Sequence, residues 1–289
     1  MSTLAMEENN FIKNIIVEHK QRLFFTYFLF SLEMGMALLK PYFLGQAVND
    51  LLHGQFNMLV VFLGIHLAWM LVGMLRMRYD TRTYTTIYNN IITQFLSRKK
   101  NGSSVSKLSA LSTLSREYTD FLEYDLIFIL EAIYNIVGAL FIIYFYDKRV
   151  ILMCSIILVP IVILSKYYGK KMGLLTQQKN DELEKQVDVI ATYDKEKIKT
   201  HYTLLQQWQI KISDQQAFNF GIMEIFVMIL LGISLTISTK YNLQVLNAGE
   251  IISFYFYILK FTAGLDTIPY ITEKYAMLND ITKRMKDYF

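Results

Sequence analysis

The sequence predicts an all-α polytopic membrane protein, with six transmembrane helices and long cytoplasmic helical extensions. Three observations carry that expectation. Hydrophobic residues make up 53% of the 289-residue chain and charged residues only 19%, against roughly 25% charged in soluble domains. Apolar runs of near-spanning length recur at residues 23–45, 57–75, 124–146, 150–168, 221–239 and 249–271. The gaps between these runs alternate between short and long, which sets out a hairpin plan before any motif is consulted.

Taken in order, residues 11–20 put Phe11, Ile12, Ile15 and Ile16 on one face, with Lys13, Asn14 and Glu18 elsewhere. That spacing predicts a short amphipathic helix lying on a membrane surface. The first, third and fifth gaps are short, the third being little more than Asp147-Lys148-Arg149. The second and fourth, residues 76–123 and 169–220, have helix-forming rather than loop composition. Each can hold two helices of about twenty residues reaching ~30 Å from the membrane, at 1.5 Å per residue. The short loops carry only Lys148, Arg149 and Lys240, while the amino end, the long gaps and the carboxyl end are rich in Lys and Arg. The positive-inside bias therefore predicts cytoplasmic termini and cytoplasmic long gaps. Three prolines and thirteen glycines leave little room for linkers, and a single domain over 1–289 is expected. No cleavable leader is expected, since Glu7, Glu8 and Glu18 interrupt the first 22 residues.

The sixth apolar run starts after Asn247-Ala248-Gly249-Glu250 and continues as a polar helical tail, Thr272 to Met285. Pro41-Tyr42-Phe43-Leu44-Gly45 is followed by Asn49-Asp50-Leu51-Leu52; Tyr79 leads through Tyr88, Phe95, Gly102 and Ser103 to Phe121; and Val187-Asp188-Val189-Ile190-Ala191-Thr192-Tyr193-Asp194 sits in the fourth gap. In order and spacing, over residues 11–285, these stretches resemble the membrane domain of an ABC exporter. The resemblance implies that residues 11–20 are the elbow helix by which such chains enter the bilayer. It further implies a homodimer enclosing one cavity in the cytoplasmic (inner) membrane. Short coupling helices would form the hairpin tips, where a nucleotide-binding domain docks. Those tips would fall on Arg98, Lys99 and Asn101 in the first hairpin and on Val189 and Ile190 in the second. The basic run at Arg98-Lys99-Lys100 also suits a solvated turn obeying the positive-inside bias.

The residues offer little to other function classes. A phosphate loop needs glycines that let backbone N–H groups wrap phosphate, followed by Lys and Ser or Thr. The nearest match, Gly169-Lys170-Lys171, has Leu164 where the first glycine belongs and lacks the hydroxyl. No HExxH, paired Cys/His cluster or GxSxG is present, so no catalytic residue, metal site or cofactor is expected, and ATP would act only through a separate ATPase subunit. The lone Cys154 lies in an apolar run, excluding a disulfide framework. A net charge of +4 gives no reason to expect a nucleic-acid partner; the bilayer is the evident surroundings.

Ionisable groups within the apolar runs are the candidate substrate- or proton-binding residues, because charge in lipid is costly and usually faces a cavity or a partner. Counted by helical rise, Glu33, His66 and Lys260 each lie roughly 14–17 Å deep, near the middle of a core roughly 30 Å thick. Glu131 and Asp266 come out shallower, towards the cytoplasm. A Glu33–Lys260 ion pair that only fixes helix register is one reading; a polar substrate site or proton relay through His66 is the other. Ser253 to Tyr257 suits an interfacial aromatic belt or a pocket wall. Three functions stay open: transporter subunit with a separate ATPase, proton-coupled secondary transporter, and non-transporting scaffold. A group of bacterial peptide importers similar to ABC membrane halves runs on protons without an ATPase, which keeps the second in view.

Overall fold

The computed structural model describes residues 17–97, 105–241 and 247–287. Every regular element among them is helical: α1 (Lys20–Leu52), α2 (Asn57–Ser97), α3 (residues 105–146), α4 (Lys148–Leu183), α5 (Gln186–Ala191), α6 (Lys195–Tyr241) and α7 (Ala248–Asp287). All but α5 contain a window long and apolar enough to cross a bilayer. The longest, α6 with 47 residues, is roughly 70 Å from end to end, about twice what the hydrocarbon core requires. The long gaps are thus the same helices prolonged past the membrane. Most of the predicted elbow helix, and the tip residues Arg98, Lys99 and Asn101, lie outside the described residues.

Two short turns between membrane-length helices are closed by local chemistry. Between α1 and α2 the chain turns at Gly54, whose φ of +71° is open to glycine without a Cβ clash. Asp50 finishes the turn: its carbonyl accepts from His53 and Gln55, and its Oδ2 accepts from the Met58 backbone N–H at 3.0 Å, capping the start of α2. Between α3 and α4 a single extended residue, Asp147, suffices; its Oδ1 accepts from the Arg149 N–H at 2.9 Å as an N-cap. α3 itself is interrupted by two π-helical turns, Phe121–Asp125 and Tyr134–Gly138. Such turns rotate the residues that follow and recur at functional sites.

α7 is the element the others pack around. Half of its most apolar window is buried, against 6% for that of α2, and it touches α1, α3, α4 and α6. Against α1 it runs antiparallel, with rungs that follow both sequences in step. Tyr257 donates to the Leu38 carbonyl at 2.8 Å and Ser253 Oγ to the Pro41 carbonyl at 2.9 Å; the Gly249 N–H donates to Asn49 Oδ1 at 2.8 Å. Gly45 and Gly249 make this crossing possible, because a Cβ on Gly249 would stand 1.9 Å from the Gly45 carbonyl oxygen. Small residues permit such backbone approach in membranes, where dispersion and hydrogen bonds rather than hydrophobic driving force hold helices together. The main apolar core lies where the outer half of α3, α4, α6 and α7 meet, with Ile143, Cys154, Ile161, Tyr257, Ile258, Phe261 and Leu265 all fully buried.

Candidate functional site

A buried ionic network joins α1 to α2. Arg76 on α2 donates Nε to Glu33 Oε2 of α1 at 2.5 Å and an Nη to Asp80 Oδ2, one turn further along α2, at 2.9 Å. Glu33 and Asp80 are 7% and 5% exposed, so the guanidinium bridges two carboxylates that are almost out of contact with solvent. Gly73 supplies the room: a Cβ there would meet Glu33 Oε1 at 3.1 Å. The ring of Phe30 lies 5.6 Å from the Arg76 guanidinium carbon. The Thr26 hydroxyl of α1, itself buried, also faces the Asp80 carboxylate.

This network forms one wall of a cavity of about 540 Å³, whose lining comes from α2 (Arg76 to Thr81), α3 (Glu123 to Glu131) and Tyr270 of α7. The α3 side presents Glu123, Tyr124, Ile127, Phe128 and Glu131, a spacing that lines one helical face. Phe128 and Tyr270 pack edge to face with centroids 5.2 Å apart. The Tyr270 hydroxyl donates to Asp125 Oδ1, and Lys274 reaches Asp125 Oδ2 at 3.1 Å, which fixes both residues. Tyr270 also borders a second cavity, of about 250 Å³, on the side of α4 and α6. There Glu273 accepts from the Tyr168 hydroxyl at 2.8 Å and from Gln216 Nε2 at 3.3 Å.

The residues singled out by depth separate here. Glu33 bonds to Arg76, which replaces the Lys260 pairing expected from the sequence. His66 does not join them: it is exposed on α2, its ring 5.4 Å from Trp69 and 6.3 Å from Phe62 of the same helix. Lys260 is half-buried on α7, within charge–charge range of Glu131 and of Lys40. Lys40 in turn stands 3.4 Å over the Trp69 ring. Glu131 lines the larger cavity, and the exposed Asp266 borders the smaller one. The reason is geometric: rise per residue gives depth, but the 100° turn per residue decides which neighbour a side chain meets. Arg76, Asp80 and Glu123 were missed because they fall just past the apolar runs, where a charge reads as ordinary cytoplasmic surface. One signal was available. Glu33 precedes the end of α1 at Leu52 by as many residues as Arg76 follows the start of α2 at Asn57, so an antiparallel hairpin places them level.

The end of the α4–α6 hairpin distant from its apolar spans is the second place where function can be sought. Its base is pinned by buried His201 of α6, whose Nδ1 lies 2.8 Å from Glu182 Oε1 of α4; Lys185 holds the other Glu182 oxygen at 2.8 Å. The tip beyond is the short helix α5. It carries Val189, half-buried, and Ile190, 43% exposed, with Val187 at 52% and Tyr193 at 89%. Tyr193 takes a φ of +52°, a left-handed backbone unusual for a bulky residue. Asp194 then starts α6, its Oδ1 accepting from the Glu196 N–H at 2.9 Å. Apolar side chains thus stand in the open at the point furthest from the apolar span of α4.

A family model described as ABC transporter transmembrane region matches residues 12–247. No curated protein matches the chain.

Proposed function

The chain belongs to the ABC transporter transmembrane region family, and from that premise we propose that it forms half of a translocation pathway in the cytoplasmic membrane. A second copy completes the pathway, and an ATPase lying outside residues 1–289 drives it. The observation that carries this reading is the hairpin tip. Val187 and Ile190 expose apolar surface on α5 and Tyr193 does so just after it, roughly 27 Å beyond the apolar run of α4 at 1.5 Å per residue. Apolar side chains held on a short helix far from lipid suit docking into a partner protein better than they suit water. The rigid base at His201 and Glu182 would pass motion of that partner up α4 and α6 to α7, which both touch. Both termini are cytoplasmic in this arrangement.

The test uses Ile190→Cys in native-host membranes; the natural Cys154 is fully buried and leaves little background. A thiol-anchored photo-crosslinker at position 190 should join the chain to a nucleotide-binding protein, and the adduct should diminish when Tyr193 is changed to Asp. Absence of any adduct to a nucleotide-binding protein would remove the ATPase-driven reading.

A further inference from the structure

We propose that the cavity between α2, α3 and α7 binds small amphipathic organic cations, an assignment that rests on reading the chain as a transport pathway. Its position is the first reason. The α2 wall, Arg76 to Thr81, begins where the apolar run of α2 ends; Glu123 to Glu131 begins where that of α3 starts; and Tyr270 stands at the inner end of the run on α7. The cavity therefore straddles the cytoplasmic boundary of the membrane, with an apolar side towards lipid and an ionic side towards water. A molecule with one greasy and one charged end meets both. The volume of about 540 Å³ falls within the roughly 300–1,000 Å³ of small-molecule sites.

The charge on the walls decides the sign. Arg76 is occupied by Glu33 and Asp80, and the buried Thr26 hydroxyl of α1 also faces the Asp80 carboxylate. Glu123 and Glu131 make no ion pair among the described residues. Of the nearby bases, Arg116 is bound to Asp120 and Lys274 to Asp125. Lys260 alone faces Glu131 from α7. Even with Lys260 counted, the carboxylates outnumber the cations.

The aromatic residues point the same way. Tyr124 is 60% and Phe128 44% exposed, both line the cavity, and the π-helical turn Phe121–Asp125 lies at this end of the lining. Ring faces are the negative side of the aromatic quadrupole and attract organic cations. Arg78 and Arg82 border the neighbouring opening rather than this cavity, so its lining offers an anionic amphipath no guanidinium besides Arg76.

The full chain in lipid nanodiscs can be titrated with rhodamine 6G, a lipophilic xanthene cation, and with fluorescein, its anionic counterpart, reading anisotropy against empty nanodiscs. Wild type should bind the cation at least about tenfold more tightly than the anion, and Glu123→Gln/Glu131→Gln should remove about that factor while leaving fluorescein unchanged. Single Glu131→Gln should show an intermediate loss, which keeps the result interpretable if the double variant misfolds by circular dichroism. Phe128→Ala should weaken rhodamine 6G and leave fluorescein unchanged, because the ring face attracts only the cation. Equal affinity for both dyes, or a folded double variant that binds as wild type does, overturns the assignment. Fluorescein binding that is lost in Phe128→Ala also overturns the cation class but leaves the pathway reading standing. That reading falls separately, by the missing cross-link at position 190.

Discussion

Replacing Arg76 with Met should be the most damaging single change within the membrane. Met keeps the length and apolar stem but strands Glu33 and Asp80, which are 7% and 5% exposed and both bonded to the guanidinium. Breaking a buried ion pair from one side typically costs about 3–5 kcal/mol, because the remaining charge is left uncompensated. Two stranded carboxylates put the expectation at the upper end. Neutralising the partners should restore stability in steps: Arg76→Met/Glu33→Gln recovers part, and adding Asp80→Asn recovers most. A buried ion pair and its neutral replacement are often close in energy. The assay is loss of helical circular dichroism on titrating the purified protein from mild detergent into sodium dodecyl sulfate, with the four proteins compared in one buffer. Coupling within the triad should show as non-additivity of about 0.5–3 kcal/mol. If Arg76→Met unfolds together with wild type, or if the triple variant is no more stable than Arg76→Met, the three residues do not act as one bonded unit.

Three further outcomes are expected. Gly249→Ala should lower stability by about 1–3 kcal/mol through overpacking, since its Cβ would stand 1.9 Å from the Gly45 carbonyl; Gly35→Ala, with nothing within 4 Å, should be neutral or gain about 0.5–1 kcal/mol, and the same detergent titration reads both. His201→Ala should loosen the base of the α4–α6 hairpin by about 1–3 kcal/mol, seen as faster trypsin cleavage at Lys185 and Lys195 with the rest of the digest unchanged. Tyr193→Cys, at a site 89% exposed in the native protein, should react with a membrane-impermeant maleimide in inside-out but not right-side-out vesicles; labelling from the outside would reverse the proposed orientation.

How much was legible follows from which physical quantity each feature depends on. The helices were legible because apolar length and loop charge are one-dimensional properties, and six membrane-length helices follow from them. The motif stretch from Pro41 to Asn49 was legible as a pattern, yet its purpose was not. Only the structure shows Pro41, Gly45 and Asn49 as successive contacts of one α1 face with Ser253 and Gly249. The ionic site was legible in part. Glu33 and Glu131 were singled out by the cost of charge in lipid, but Arg76 was not, because the apolar run had ended one residue earlier. Equal counting from a hairpin recovers more than depth alone. His19 with Asn90, Glu33 with Arg76 and Lys40 with Trp69 all lie level across the α1–α2 turn, and all three pairs are in contact.

That displacement of the ionic site bears on how the chain works. A proton relay through Glu33, His66 and Lys260 required three titratable groups to meet near mid-membrane. Within the described protomer His66 instead lies on the exposed face of α2, and Glu33 bonds to a guanidinium. Neither arrangement hands a proton from one group to the next. At the inner boundary the requirements differ. Water and headgroups are within reach, so fixed carboxylates such as Glu123 and Glu131 are tolerated there at far less cost than at the bilayer centre. Carboxylates beside exposed rings would suit the proposed cation there. Release would need the walls to separate, and Tyr270 is the residue by which α7 closes the lining. Movement of α7 relative to α3 would break the Tyr270–Asp125 contact and open the cavity on that side. The docking tip connects to the same helix through α4 and α6, which pack on it. Energy delivered at α5 would therefore reach α7, the helix that closes the cavity through Tyr270.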